Sequence, residues 1–86
     1  MKLNQNYYKH QMDDHVLIVP NADASFHGLV RGNQTLGDIL ECLMQDTTEE
    51  KIVDSLCEKY KGNRSLIEED VADVIARLKG IGALDD

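Results

Sequence analysis

Two hydrophobic rhythms run along this chain and meet near Asn33. Before that seam, apolar and polar residues alternate with a period of two in three short runs: "YYKHQM" (Tyr7 to Met12), "HVLIVP" (His15 to Pro20) and "SFHGLVR" (Ser25 to Arg31). Alternation sends successive side chains to opposite faces of a strand, so Phe26, Gly28 and Val30 should point one way and His27, Leu29 and Arg31 the other. Asp13 and Asp14 suit a turn between the first two runs, Pro20 ends the second, and "NADA" (Asn21 to Ala24) supplies the next turn. The pattern predicts a three-stranded antiparallel β-meander.

Beyond the seam the period lengthens to about 3.6. Leu36, Ile39, Leu40, Leu43 and Met44 form one helical stripe, which Asn33 or Thr35 is placed to cap. "TTEE" (Thr47 to Glu50) reads as a capping box in which a threonine hydroxyl and a glutamate carboxylate satisfy each other's backbone N–H groups. The helix it starts has an apolar face of Ile52, Val53, Leu56, Cys57 and Tyr60 and stops at Gly62. "SLIE" (Ser65 to Glu68) repeats the box and opens a third helix through Ile67, Val71, Val74, Ile75 and Leu78, ending near Gly80 and Gly82 with Leu84 folded back on the last turn. The expected fold class is α+β with element order βββααα. At 86 residues with no repeat, linker or low-complexity tract, residues 1–86 read as one domain.

A three-stranded meander has two edges, and three helices cover one face more readily than both edges. At least one edge should stay unpaired. The strand that leads into the first helix is held by that junction, which makes it a rigid template. Gly28 and Gly32 remove side-chain bulk where another backbone would approach, or they permit a bulge or bend into the helix; the residues alone leave both readings open.

Charge and composition narrow the function. The formal net charge of −7 repels phosphate backbones, so nucleic acid is not an expected partner. No apolar run reaches the roughly 18 residues of a membrane span. The opening "MKLNQNYYKHQM" lacks the apolar core of a secretory signal, so the expected location is the cytoplasm. Cys42 and Cys57 are too few and too far apart for a disulfide framework or a CxxC site and are expected as buried, reduced thiols. His10, His15 and His27 show no metal-ligand spacing and no nucleophile or glycine-rich loop accompanies them, so neither catalysis nor a metal or other cofactor is expected. Tyr7 and Tyr8 read as a half-buried strand face.

The stretch "GLVRGNQTLGDILECL" (Gly28 to Leu43) resembles the PqqD family of pyrroloquinoline quinone biosynthesis: a hydrophobic pair, a polar residue, Leu-Asn-x-Thr, then an amphipathic helix. "HVLIVP" is similar to the family's second strand, and "TTEEKIVDSLCEKY" with the acidic third helix to its last two helices. Asn33 and Thr35 fall on the family pattern, while Gly32 stands where Leu is usual and Leu40 where Trp is frequent. The resemblance implies a winged-helix-like module that binds the leader segment of a ribosomally made precursor peptide. It also implies presentation of that peptide to a modifying enzyme, often a radical S-adenosylmethionine protein. The leader would add as a strand to the third strand, along Phe26, His27, Gly28, Leu29, Val30 and Arg31, with its apolar side chains against Val71, Val74 and Leu78 of the third helix. Asp70 and Arg77 flank Val74 on one side of that helix and Glu68, Ile75 and Lys79 on the other; the first pair is the expected groove flank. Singly, each is equally a solvated helical charge, with Arg77 paired to Asp73. The unpaired edge that receives a leader would equally accept a second copy, so the oligomeric state stays open.

Two other functions fit parts of the chain. A winged-helix fold suggests a DNA-binding regulator, but "EEDVADVIARLK" is acid-rich where a recognition helix needs Lys and Arg. "DSL" (Asp54 to Leu56) matches the tripeptide around the phosphopantetheine-bearing serine of carrier proteins. That serine belongs at a helix N-terminus, whereas Ser55 is expected two turns past the Thr47 cap.

Overall fold

The computed structural model describes residues 1–85. Its elements are β1 (Lys2–Leu3), β2 (Tyr7–Gln11), β3 (Val16–Pro20), β4 (Val30–Gly32), α1 (Gln34–Cys42), α2 (Glu49–Tyr60), α3 (Arg64–Gly80) and β5 (Leu84–Asp85). Strands β2, β3 and β4 form an antiparallel sheet in that order, so the expected meander and the three helices that follow it are present. The additions are β1 and β5, a short antiparallel pair that sets Leu3 opposite Leu84. Leu84 therefore ends in a strand, with Gly82 at φ +72° making the turn just before it.

The third strand is shorter than its alternating sequence predicts. The β3–β4 ladder pairs Val16 with Gly32, Leu17 with Arg31 and Ile18 with Val30, and Phe26 to Leu29 run on as a loop. Extending that register would set Gly28 against Pro20, which has no N–H to donate. The chain also turns at Asn21, whose carbonyl accepts from Ala24 N at 3.2 Å and whose side chain accepts from Asp23 N at 2.9 Å. The alternation of burial survives without the ladder: Phe26, Gly28 and Val30 are half-buried, and His27, Leu29 and Arg31 are exposed.

Helix starts follow local hydrogen-bond competition. Asn33 caps α1, its side chain accepting from Leu36 N at 3.3 Å. The capping threonine of α2 is Thr48 rather than Thr47: the Thr48 carbonyl accepts the first helical bond from Ile52 N, whereas Thr47 pairs with Met1, its N–H donating to the Met1 carbonyl and its carbonyl accepting from the Met1 ammonium. Thr48 then accepts from Lys51 N at 3.2 Å, so the reciprocal glutamate bond is not formed. At α3, Asn63 captures Ser65 N at 2.8 Å and starts the helix before the expected Ser65 box. Lys61, at φ 49° and ψ 35°, takes the left-handed cap of α2 in place of Gly62.

The core lies between one sheet face and the helices. Val16 and Ile18 point into it from β3, Leu36, Ile39, Leu40 and Leu43 from α1, Ile52, Val53 and Leu56 from α2, and Val71, Ile75 and Leu78 from α3. Tyr7 is buried and donates its hydroxyl to the carbonyl of Ile81, while Tyr8, the next residue along the strand, is exposed; the two do not share a half-buried face. Met44 and Tyr60, at the ends of their stripes, are also exposed. Cys42 and Cys57 are free thiols packed against the core but only half-buried.

A polar tie joins α1 to α2. Asp38 accepts from Lys59 Nζ at 2.8 Å and from the hydroxyl of Tyr60. Burial pushes the Asp38 carboxyl up, but the hydrogen bonds of Lys59 and Tyr60 and the lysine's charge outweigh it and leave the group below its ordinary value of 3.8. Such a depressed carboxylate stabilises the fold above its unfolded value and loses that contribution as pH falls through the folded one. Asp38→Ala should therefore lower the urea midpoint most at neutral pH, with the gap to wild type closing below about pH 4. A gap independent of pH in urea titrations from pH 7 to pH 2.5 would contradict this. At the seam, a Cβ on Gly32 would lie 2.3 Å from Leu36 Cδ2 and 2.8 Å from Leu36 Cβ, contacts the chain cannot accommodate without moving α1. Gly32→Ala is expected to cost about 1–3 kcal/mol in equilibrium unfolding, the usual penalty of overpacking.

Candidate functional site

Strand β4 is the last strand of its sheet, and its outer edge has no partner strand among the described residues. Its N–H and C=O groups on that side are a template for an added strand. Facing the seam where β4 becomes α1 is the exposed side of α3, and the two enclose an open cleft of about 260 Å³. Gly32, Asn33 and Leu36 line one wall; Asp73, Val74 and Arg77 line the other, with Thr35 and Asp70 at one end. On α3, residues 70, 73, 74 and 77 follow the i, i+3, i+4, i+7 spacing of one helical face. Thr35 and Asp70 also border a second hollow of about 250 Å³, so the two openings are neighbours that share these residues.

The structure brings together some of the residues expected here and separates others. Asp70, Val74 and Arg77 meet in the cleft, and Val30 and Arg31 lie on the β4 ladder. Phe26, His27, Gly28 and Leu29 precede the ladder: Phe26 packs against the core, Leu29 is 65% exposed, and a Cβ on Gly28 would meet the Phe26 ring at 2.7 Å. Val71 and Leu78, expected on the groove wall, are 0% and 1% exposed and fill the core beneath it, because their helical positions face inward. Of the apolar stripe on α3, Val74 is the member that reaches the cleft.

Five cleft residues are additional: Gly32, Asn33, Thr35, Leu36 and Asp73. Asn33 and Thr35 carried a trace in the sequence through their capping positions, and Asp73 through its place one turn before Arg77. Gly32 carried one as a place where another backbone could approach, whereas Leu36 gave none, since its part depends on how closely strand and helix approach. Arg31, Asp70, Asp73 and Arg77 form no ion pair within 4 Å among the described residues; the i, i+4 pair made by α3 is Arg64–Glu68. The cleft thus offers two carboxylates and one guanidinium without internal partners, beside an unpaired stretch of main chain. It can hold an extended peptide by main-chain hydrogen bonds and select it by charge and by contact with Val74.

Other features do not converge. Among the described residues no group of three or more His, Cys, Asp or Glu could hold a metal ion, and no helix is long and apolar enough to cross a membrane. Ser55 lies exposed in the middle of α2, away from the helix start where a carrier serine belongs.

Comparison with known proteins places this fold. The family model described as coenzyme PQQ synthesis protein D (PqqD) matches residues 14–84. Two solved structures share the architecture. One, described as TbiB1 in complex with the TbiA(beta) leader peptide, superposes with a TM-score of 0.79 at 22% identity, over 99% of this chain and 95% of that one. The other, described as lasso peptide synthetase B1 complexed with the leader peptide, has a TM-score of 0.73 at 20% identity, over 95% of this chain and 93% of that one. Among curated protein sequences no relative matches significantly. The family pattern runs from the turn before β3 to the first residue of β5, spanning both the edge strand and the helix that faces it, and the chain belongs to the PqqD family.

Proposed function

We propose that this protein is a non-catalytic recognition module that captures the leader segment of a ribosomally made precursor peptide by strand addition to β4. The bound peptide is then presented to a separate modifying enzyme, for which a radical S-adenosylmethionine protein is the expected class. The observation that carries the reading is an unpaired edge strand, held rigidly at Asn33 and faced by α3 across an open cleft. Support comes also from the PqqD family membership and from two proteins of like fold whose structures contain leader peptides. Main-chain pairing supplies affinity that tolerates sequence changes, and the α3 side chains supply choice. Phe26, His27, Gly28 and Leu29 extend the template toward its N-terminal end, where an incoming strand would cross them after leaving the β4 ladder. Val71 and Leu78 then act from below, by fixing the position of Val74.

A leader that orders on binding gives up about 2–5 kcal/mol, which sets the expected affinity in the micromolar range. Titrating the N-terminal segment of a precursor encoded beside this gene should move the amide signals of residues 30–33 and of residues 70, 73, 74 and 77. Shifts confined to β2 or α2 would refute the site. Val74→Asp should weaken binding by at least about tenfold, since it sets a charge on the apolar strip the peptide must cover. Unchanged affinity in calorimetry, with the circular dichroism spectrum preserved, would count against strand addition here.

A further inference from the structure

The hollow that adjoins the cleft at Thr35 and Asp70 differs from it in chemistry. Its floor is Leu56, and its sides are Tyr60, Leu66 and Ile67. Leu66 is 60% exposed and Tyr60 46% exposed, an apolar pair at the surface that the β4 cleft does not use. The Tyr60 ring is held by its hydroxyl's bond to Asp38, and the start of α3 is fixed by the Asn63 cap, so both rims are anchored. Asp70 borders both openings, and Asp73, about a turn further along α3, lies on the cleft side.

We propose that this hollow receives one large apolar side chain of the same peptide that pairs with β4, and that a lysine or arginine of that peptide, lying between the anchor and the paired segment, meets Asp70 and Asp73. The inference rests on the strand-addition reading and adds to it the side chains the peptide must carry. The two openings lie side by side, with Thr35 and Asp70 common to both, which makes a single extended chain the fitting occupant. A second copy is disfavoured by charge: this chain has a net −7 and would bring further negative charge to a rim that already holds two unpaired carboxylates. Ile67 and Val74 lie about two turns apart on α3, roughly 10 Å at about 1.5 Å per residue. An extended peptide covers that distance in about three residues at about 3.3 Å each. The anchor should therefore stand about three residues from the position that contacts Val74, with the basic residue between them.

A display library of random dodecapeptides selected on the immobilised protein tests this. Enriched sequences should share a Leu, Ile, Met or aromatic residue separated from the β-forming segment by a stretch containing Lys or Arg. For a synthetic peptide taken from that pool, replacing the anchor by Ala should weaken binding to the wild-type protein about tenfold, but less than about twofold to Leu66→Asp, whose pocket no longer rewards an apolar group. Replacing the basic residue by Glu should weaken binding to wild type and be partly rescued by Asp70→Lys. Leu66 is a surface residue, and Leu66→Ala supplies a second, uncharged version of the same cycle. Peptides that lose affinity with Val74→Asp but show no anchor preference, or one unaffected by either Leu66 variant, would overturn the anchor pocket while leaving strand addition standing. If the library yields no peptide whose binding depends on Val74, both readings fall.

Discussion

The structure turns on the approach of β4 to α1 across a single residue. Gly32 ends the strand with Leu36 packed where its side chain would be, and Asn33 starts the helix by bonding Leu36 N. Because Leu36 is itself a core residue, the position of the edge strand is set by the core rather than by a loose connection. Helix α3, packed on the same core through Val71, Ile75 and Leu78, is thereby held facing that edge at a fixed separation. The cleft is what remains when two elements are anchored from below and neither has a partner on its outer side. Preorganisation of this kind would reduce what the proposed binding spends on ordering the receptor, leaving the entropy loss mainly to the peptide.

Much of this was legible in the chain, and the gaps have physical causes. The change of period at Asn33 located the joint between sheet and helices, and the stripes of α1, α2 and α3 named most of the core. Where local signals competed, the sequence reading misplaced boundaries by a residue or two: Thr47 lost its capping role to Thr48 because its backbone pairs with Met1 and its carbonyl is not free for the helix, and Asn63 outcompeted Ser65. The alternation of Ser25 to Arg31 correctly ordered inside and outside, yet alternation reports which way side chains face, not whether a neighbouring strand offers hydrogen bonds. Pro20 and the turn at Asn21 withdrew that neighbour. β1 and β5 carried no readable signal, since each is two residues long and exists through pairing with the other end of the chain.

The groove was the hardest part to read, because it depends on which of two nested helical faces meets solvent. Val71, Val74 and Leu78 belong to one apolar stripe in sequence, but helix α3 sits so that Val71 and Leu78 point inward and only Val74 reaches the cleft. Asp70, Asp73 and Arg77 surround that one apolar contact with charge. In the strand-addition reading proposed above, selectivity would fall to a few exposed polar groups on a scaffold whose other residues serve packing, so groove preference could change while Val71, Ile75 and Leu78 stay as they are.

The brevity of β4 has a consequence for life in a crowded solution. Long, flat, open sheet margins invite promiscuous stacking into fibrils, and proteins commonly suppress this by shortening or charging them. A margin of three residues, carrying the cation of Arg31 at its middle, gives too little ladder for like molecules to zip together on backbone bonds alone. The same economy that guards against clumping would oblige a guest strand of the kind proposed to bring side chains that fit.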